Sequence, residues 1–279
     1  MRVLIYLSGT FHHKNYQGLK QILDFLNYEY LFTNKMVDFK DYDIIYSPCG
    51  PIRGSYPNKF IYGPHFSVFP DKKLKQIQGQ KAIYIQPSEW AKNAWGIQHI
   101  PINVFSFPVD INRFSPINNE KSFVFVYTKR RNPKEVEFVC NFLKQNNIKF
   151  VLFDYLKRYR EEDYLNVLQH AKYGIIIDAH ESQGFAIEEA LSCNVPLLVW
   201  NVKTMNQEWN SRYEAIPCTT IPYWDERCGK VFYEQDEFIP TFNTFIENLN
   251  YYEPRKYIIE NLSVEPCSKK FIELIKNIQ

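Results

Sequence analysis

Residues 175–200 read IIIDAHESQGFAIEEALSCNVPLLVW, and this stretch decides the fold. Ile175-Ile176-Ile177 is an apolar run that ends in Asp178-Ala179-His180. A turn holding Gly184 follows, then a helical pattern, then a second apolar run from Pro196 to Trp200. Strand, loop, helix and strand within roughly 30 residues is the size of a βαβ unit. Both runs are unbroken rather than alternating, which predicts strands buried on both faces, as in a parallel sheet.

The chemistry belongs where the first strand becomes the helix, because open parallel sheets bind ligands at the carboxyl ends of their strands. Ser182, Gln183, Gly184 and Phe185 place backbone N–H groups at the helix start. Such a start attracts phosphate, since the amides point outward and the helix dipole adds positive potential. Glu181 stands just before it, and Glu189 lies about two helical turns further on. One acid at the mouth and one along the helix, with an anion site between, suit a sugar, a diphosphate and a ribose: a nucleotide sugar.

Glu181, seven intervening residues and Glu189, with Gly184-Phe185 between and Ala190-Leu191-Ser192-Cys193-Asn194-Val195-Pro196 after, resemble a known signature. It is the donor-site signature of retaining GT-B glycosyltransferases, closest to the large family-four type (glycosyl transferases group 1). The resemblance implies that Glu181 contacts hydroxyls of the transferred sugar and that Glu189 holds the ribose. It also implies that the amides around Gln183 and Gly184 lie near the diphosphate or sugar. An ordinary αβ unit with an acidic helix start is the alternative, since acids are favoured there in any case.

The totals bound the rest. With 279 residues the chain makes one large or two modest domains. Its 33 basic and 31 acidic residues leave a formal net charge of +2, so no global field for polyanions is implied and no nucleic-acid partner is expected. Aromatic content is 17%, which reads mainly as core and secondarily as sugar-stacking platforms. Cysteines stand at 49, 140, 193, 218, 228 and 267, with no CxxC spacing and no His–Cys cluster, so no metal is expected. Scattered thiols suit a reducing, cytoplasmic setting. MRVLIYLSG at the start is too short an apolar run for a signal peptide and reads as a first buried strand. No run reaches the length of a membrane span, and peripheral membrane contact stays open.

In the first half, strands are predicted at Arg2–Leu7, Tyr28–Thr33, Asp43–Tyr46, Lys59–Gly63 and Ala82–Gln86, with a short one inside 100–107. A helical pattern covers 19–26, and Ser88 reads as the N-cap of another helix. Gly9, His12, His13, Pro48, Cys49, Gly50 and the Pro64-His65-Phe66 piece all follow apolar runs, so all are candidates for one cleft. Histidine is the usual group for proton work near neutral pH, which makes His65 the first-domain catalytic candidate and Gly9 a binding candidate. The alternative for each is a loop histidine that bonds the backbone. Ile85-Gln86-Pro87-Ser88-Glu89-Trp90 and Phe107-Pro108-Val109-Asp110-Ile111-Asn112-Arg113-Phe114 resemble pieces that close strands of the family's first domain. Phe107-Pro108 stands where that family usually has Asn-Gly.

SPINNEKS, residues 115–122, is the best linker candidate. Phe123–Tyr127 is a β-prone run that ends in Thr128-Lys129-Arg130-Arg131-Asn132-Pro133-Lys134. A basic loop at the carboxyl end of a strand suits a diphosphate. In the resembled family an Arg and a Lys after this strand neutralise the leaving diphosphate, which points to Lys129 and Lys134 first and Arg130 next. A solvated basic turn is the alternative for any of them. Glu135–Gln145 and Glu161–Ala171 read as helices around a strand at Ile148–Asp154. Tyr155–Arg160, YLKRYR, borders the nucleotide base or is a solvated loop. Thr219–Asp225 reads as a further strand end, its Tyr223-Trp224 pair lining the base pocket or covering the core. Helices follow over 238–249, 254–262 and 268–278, the last with an apolar stripe that docks on the first domain or on its own.

The expected fold class is therefore α/β, GT-B: two Rossmann-like domains with parallel sheets facing across a cleft. The expected boundaries are 1–115 for an acceptor domain, 116–262 for a donor domain and 263–279 for a helix crossing back. The expected activity is retaining transfer from a nucleotide diphosphate-sugar, UDP- or GDP-linked, to a glycan, lipid or other hydroxyl acceptor, without metal or other cofactor. A nucleotide-sugar-binding protein or GT-B-fold epimerase is the alternative. A phosphorylase would need pyridoxal phosphate on a Lys, which nothing marks, and no GxGxxG follows a strand to suggest NAD.

Overall fold

The computed structural model describes residues 1–65 and 72–278, with the side chains of Lys72 and Lys73 also outside the description. Phe66, placed above at a strand end, lies outside the described residues, as does Gln279. In chain order the first elements are β1 (Arg2–Tyr6), α1 (His13–Phe25), β2 (Glu29–Thr33), β3 (Ile44–Ser47), β4 (Lys59–Tyr62), β5 (Ala82–Gln86), α2 (Glu89–Trp95) and β6 (Ile102–Val104). Then come β7 (Phe123–Lys129), α3 (Pro133–Gln145), β8 (Phe150–Asp154), α4 (Glu161–His170), β9 (Ala171–Asp178), α5 (Phe185–Ser192) and β10 (Leu197–Trp200). β11 (Gly229–Phe232), α6 (Phe238–Glu247), α7 (Pro254–Leu262) and α8 (Val264–Lys276) complete the order.

These elements form two compact units, one of residues 1–108 with 262–279 and the other of residues 109–261. The polar stretch 115–122 therefore counts with the second unit. The first unit holds a six-stranded sheet in the order β2-β1-β3-β4-β5-β6, with every pair parallel. The second holds a five-stranded sheet, β11-β10-β9-β7-β8, again parallel throughout. In each sheet the first strand lies between the second and third in sequence. Winding thus reverses beside β1 in one sheet and beside β7 in the other, and such reversal points open a crevice at the strands' carboxyl ends.

The unbroken apolar runs do become doubly covered strands: Ile175, Ile176, Ile177, Leu197, Leu198 and Val199 have no exposure. Between them α5 buries Ile187, Ala190 and Leu191. It stops at Cys193, and Asn194 turns the chain with a left-handed φ of 56° before Pro196 leads into β10. Aromatic richness goes largely to the cores: Phe60, Tyr62, Tyr84 and Trp95 in the first unit, Phe232, Phe238, Phe242 and Phe245 in the second.

One expectation is corrected. Residues 219–225 are irregular rather than a strand end; the last strand is Gly229–Phe232, four residues with one exposed lysine, too short and too polar for its pattern to stand out. Ser88 does occupy the N-cap of α2, but its side chain makes no capping bond.

Candidate functional site

Winding in the second sheet reverses between β7 and β9, and their last residues, Lys129 and Asp178, face each other in register. Immediately beyond β9, Glu181 turns back and its Oε1 accepts from Lys129 Nζ, a pair with side-chain exposures of 16% and 18%. The ammonium also sits 4.8 Å from the centre of the Tyr155 ring, on the loop after β8. Glu181 is held by its backbone N–H, which donates to Thr219 O at 3.1 Å. Thr219 and Thr220 are in turn fixed by Asn201, whose Oδ1 accepts from Thr219 Oγ1 at 3.0 Å and from Thr220 N at 2.8 Å.

Asp178 has no exposure at all. Neither of its carboxyl oxygens makes a hydrogen bond of regular geometry, although the Glu181 carboxyl lies close enough to interact with it directly. Burial, and then the neighbouring charge of Glu181, push the Asp178 pKa well above the usual carboxylate range, with Lys129 opposing. Burial alone would lower the Lys129 pKa, but its acidic neighbours, Glu181 first, outweigh it and the net shift is upward. Tyr159, beside the Tyr127 hydroxyl, is pushed up to about 12, chiefly by burial.

Helix α5 begins behind this group. Gly184, its N-cap, has φ 91° and ψ 48°, a left-handed conformation that costs glycine nothing and other residues about 1 kcal/mol or more. Ser182 is exposed, Phe185 half-buried and Gln183 buried. Gln183 Nε2 donates to Glu188 Oε2 at 3.0 Å, so its side chain braces the turn from inside. Glu189 is buried, 4% exposed, and its charge acts on Tyr159 and Tyr164.

The basic loop does not behave as four equivalent cations. Arg131 is buried and structural: it pairs with Glu135 through Nε (2.8 Å) and Nη2 (3.0 Å), and its Nη1 donates to the carbonyls of Asp178 (3.1 Å) and Trp200 (2.9 Å). This is a clip across the ends of β9 and β10, not the solvated turn that a basic run suggests. Arg130, in a left-handed φ of 53°, reaches Glu208 Oε1 at 3.3 Å, and its carbonyl accepts from Trp209 N at 2.8 Å. Lys134 is exposed in the first turn of α3, its backbone N–H bound by the capping Asn132 side chain at 3.1 Å. The structure thus joins Lys129 with Glu181, and separates Arg130 and Lys134 onto the loop and the helix that follow.

In the first unit, His65 follows β4 and its Nε2 accepts from Nδ2 of the buried Asn15 at 2.8 Å. Phe11 lies edge-on at 5.7 Å. His65 keeps an exposed face, but the packing around its ring holds its pKa below the ordinary value. Gly9 follows β1 and is exposed; a Cβ there would sit 3.3 Å from Cys49 Cβ. Both residues belong to strand ends around that sheet's own reversal point, between β1 and β3.

Sequence reasoning missed three participants. Asp178 read only as the end of an apolar run. Glu208, with a side chain 10% exposed, sits between Arg130 and His180, whose Nδ1 is 3.7 Å from Glu208 Oε2. Burial lowers the His180 pKa despite Glu208 and Glu181. Asn201 read as the residue after a strand. An acid or amide directly at a buried strand's carboxyl end is the one local signal that marks Asp178 and Asn201.

Two parallel-sheet, Rossmann-like units in one chain define the fold found in GT-B glycosyltransferase structures. AviGT4, a glycosyltransferase involved in avilamycin A biosynthesis, is similar at a TM-score of 0.62 and 12% identity over 99% of this chain and 97% of that one. Sucrose-phosphate synthase from Thermosynechococcus elongatus gives 0.58 at 8% identity, covering 99% and 98%. WaaG, a glycosyltransferase involved in lipopolysaccharide biosynthesis, gives 0.51 at 10% identity, covering 99% and 100%. At these identities the likeness is one of fold. No family model matches the chain, and no curated protein matches it in sequence.

Proposed function

We propose that this chain is a glycosyltransferase that moves a sugar from a nucleotide diphosphate-sugar to a hydroxyl acceptor with retention of anomeric configuration. One observation carries the reading: Lys129 and Glu181 meet at the strand ends beside the winding reversal, directly ahead of the α5 start. A cation, a hydroxyl-binding acid and a helix start are the three things that a leaving sugar diphosphate needs. Similarity in fold to glycosyltransferases supports the reading.

In this reading Lys129 and the amides around Gly184 stabilise the charge that develops on the diphosphate as the anomeric bond breaks. Arg130 and Lys134 add to the positive potential along its path. Glu181 orients the sugar, Glu189 takes the ribose and Tyr155 or Tyr159 borders the base. The first unit recognises the acceptor, with His65 and Gly9 at its strand ends. The acceptor is a glycan, a lipid headgroup or another hydroxyl compound. Charge neutralisation falls to side chains and amides, so chelators should leave the rate unchanged.

The experiment is incubation with UDP- and GDP-sugars and an acceptor panel, reading nucleoside diphosphate release and glycosylated product together, with the product anomer assigned by NMR. Glu181→Ala is expected to lower turnover about a hundredfold or more. Nucleotide release without any acceptor product would favour a binding protein or hydrolase, and wild-type turnover in Glu181→Ala would remove the central assignment.

A further inference from the structure

The buried carboxyl of Asp178 is a group at this site that ordinary folding does not explain. Its side chain is fully enclosed; the Glu181 carboxyl and the Ala179 N–H lie close to it, but neither makes a hydrogen bond of regular geometry with either oxygen. A buried, unsatisfied acid costs stability. The four residues that lead up to it, Gly174 to Ile177, are small or aliphatic and buried, so the packing of the strand itself asks for no acid there. Its surroundings are specific. Lys129 stands opposite in register and Tyr127 lies nearby on the same strand, β7. Tyr164 approaches from α4, and Glu181 from the loop beyond β9. From the turn after β7 the Arg131 guanidinium binds the Asp178 carbonyl, leaving the carboxyl to the other neighbours.

We propose that Asp178 is a positioning residue that holds a proton in the resting site, so that Lys129 is balanced by Glu181 alone and can turn toward the pyrophosphate of a nucleoside diphosphate. The proposal rests on the donor-site reading above and deepens it. Two ionised acids would hold the ammonium between them, and an arriving pyrophosphate would have to compete with both. One neutral and one charged acid leave the ammonium a single partner. As Lys129 turns to the anion, the proton is shared between Asp178 and Glu181, and no pair of bare carboxylates is left buried. Burial and the Glu181 charge, which both raise the Asp178 pKa, agree with that state. The price of keeping such an acid is borne by the fold.

Infrared difference spectra of wild type against Asp178→Asn at neutral pH test the proton directly. A protonated-carboxyl band that belongs to Asp178 and shifts when pyrophosphate, UDP or GDP is added is the expected result. Asn mimics the neutral acid, so Asp178→Asn is expected to bind UDP or GDP within about threefold of wild type at pH 7. A full negative charge placed beside Lys129 would cost about tenfold or more. The Asn variant should also melt higher than wild type. Its advantage should grow as pH rises above about 4, because the unfolded Asp then ionises while the folded one resists. An absent band, a band indifferent to pyrophosphate, or Asn binding as poor as that of Lys129→Met overturns the proposal. If the band is present and responds to pyrophosphate but no sugar is transferred to any acceptor, Asp178 keeps its role and the transferase reading falls instead.

Discussion

Lys129 is the residue on which the charges of the second unit converge. Its side chain is mostly enclosed, with Glu181 bonded to it, Asp178 opposite and the Tyr155 ring beneath. Replacing it by Met removes one member of a largely buried pair, a change that costs about 3–5 kcal/mol. The sign with pH follows from the direction of the Lys129 shift. A raised ammonium pKa contributes stability that is fully present below the unfolded lysine value and fades only in strong alkali. The Lys129→Met deficit should therefore be full at pH 7–9 and should shrink above about pH 10.5, where the unfolded lysine loses its proton. Urea melts of both proteins at pH 8 and pH 11 measure it; equal deficits would mean that packing, not charge, is what Lys129 supplies. Residue identity told part of this story in advance. The placement of Glu181 ahead of the turn, Gly184 at the helix start and Glu189 on α5 was legible, because turn chemistry and helix spacing fix it locally. The unequal roles of Lys129, Arg130 and Arg131 were not, since three adjacent cations look alike until the backbone at Arg130 turns left-handed and sends Arg131 inward.

At the scale of elements, β9 is the sheet's central strand and Gly174 is its tightest point. A Cβ there would lie 2.3 Å from Phe125 Cζ and 2.8 Å from Leu197 Cδ2, so a buried ring and a buried Leu occupy the space on either side. Gly174→Ala should overpack this core and cost about 1–3 kcal/mol. Gly184 makes the complementary case. The nearest atom to its added Cβ is Glu181 Cβ at 3.5 Å, so there is room, and the cost is the left-handed backbone alone, about 1 kcal/mol. Gly184→Asn should recover part of it, because Asn tolerates that region. Denaturant midpoints for the three variants should rank Gly174→Ala lowest, Gly184→Ala next and Gly184→Asn highest; a Gly184→Ala loss larger than that of Gly174→Ala would contradict the packing argument. The βαβ core itself was legible from unbroken apolar runs around a helical period. β11 was not, because a four-residue edge strand is set by the neighbour it pairs with, Leu197–Trp200, and not by its own pattern.

Across the whole molecule, the chain leaves the first unit after Pro108, builds the second, and returns at Leu262 to complete the first. The returning helix α8 packs on α1, separated from it by most of the sequence. Cys267 and Phe271 are buried there; Cys267 Sγ lies 4.0 Å from Ser106 Oγ and the Phe271 ring 5.7 Å from Phe105. The apolar stripe of this helix is visible in sequence, but the surface it covers is not, because a period of 3.6 names a face and never its partner. The packing makes a prediction about cooperativity. Phe271→Ala should remove about 3–5 kcal/mol from the unit that α8 completes. Phe238 is its counterpart in the second core, enclosed by Phe138, Phe142, Phe232 and Phe242. If each unit opens on its own, hydrogen exchange in Phe271→Ala should quicken for amides of β1 to β6 and α8 while those of β7 to β11 keep their protection, and Phe238→Ala should do the reverse. Equal acceleration everywhere in both variants would show that the two sheets unfold as one body. In that case a defect under α8 would reach Lys129 and Glu181 through global stability, and losses of activity from first-unit variants would have to be corrected for it before being assigned to acceptor binding.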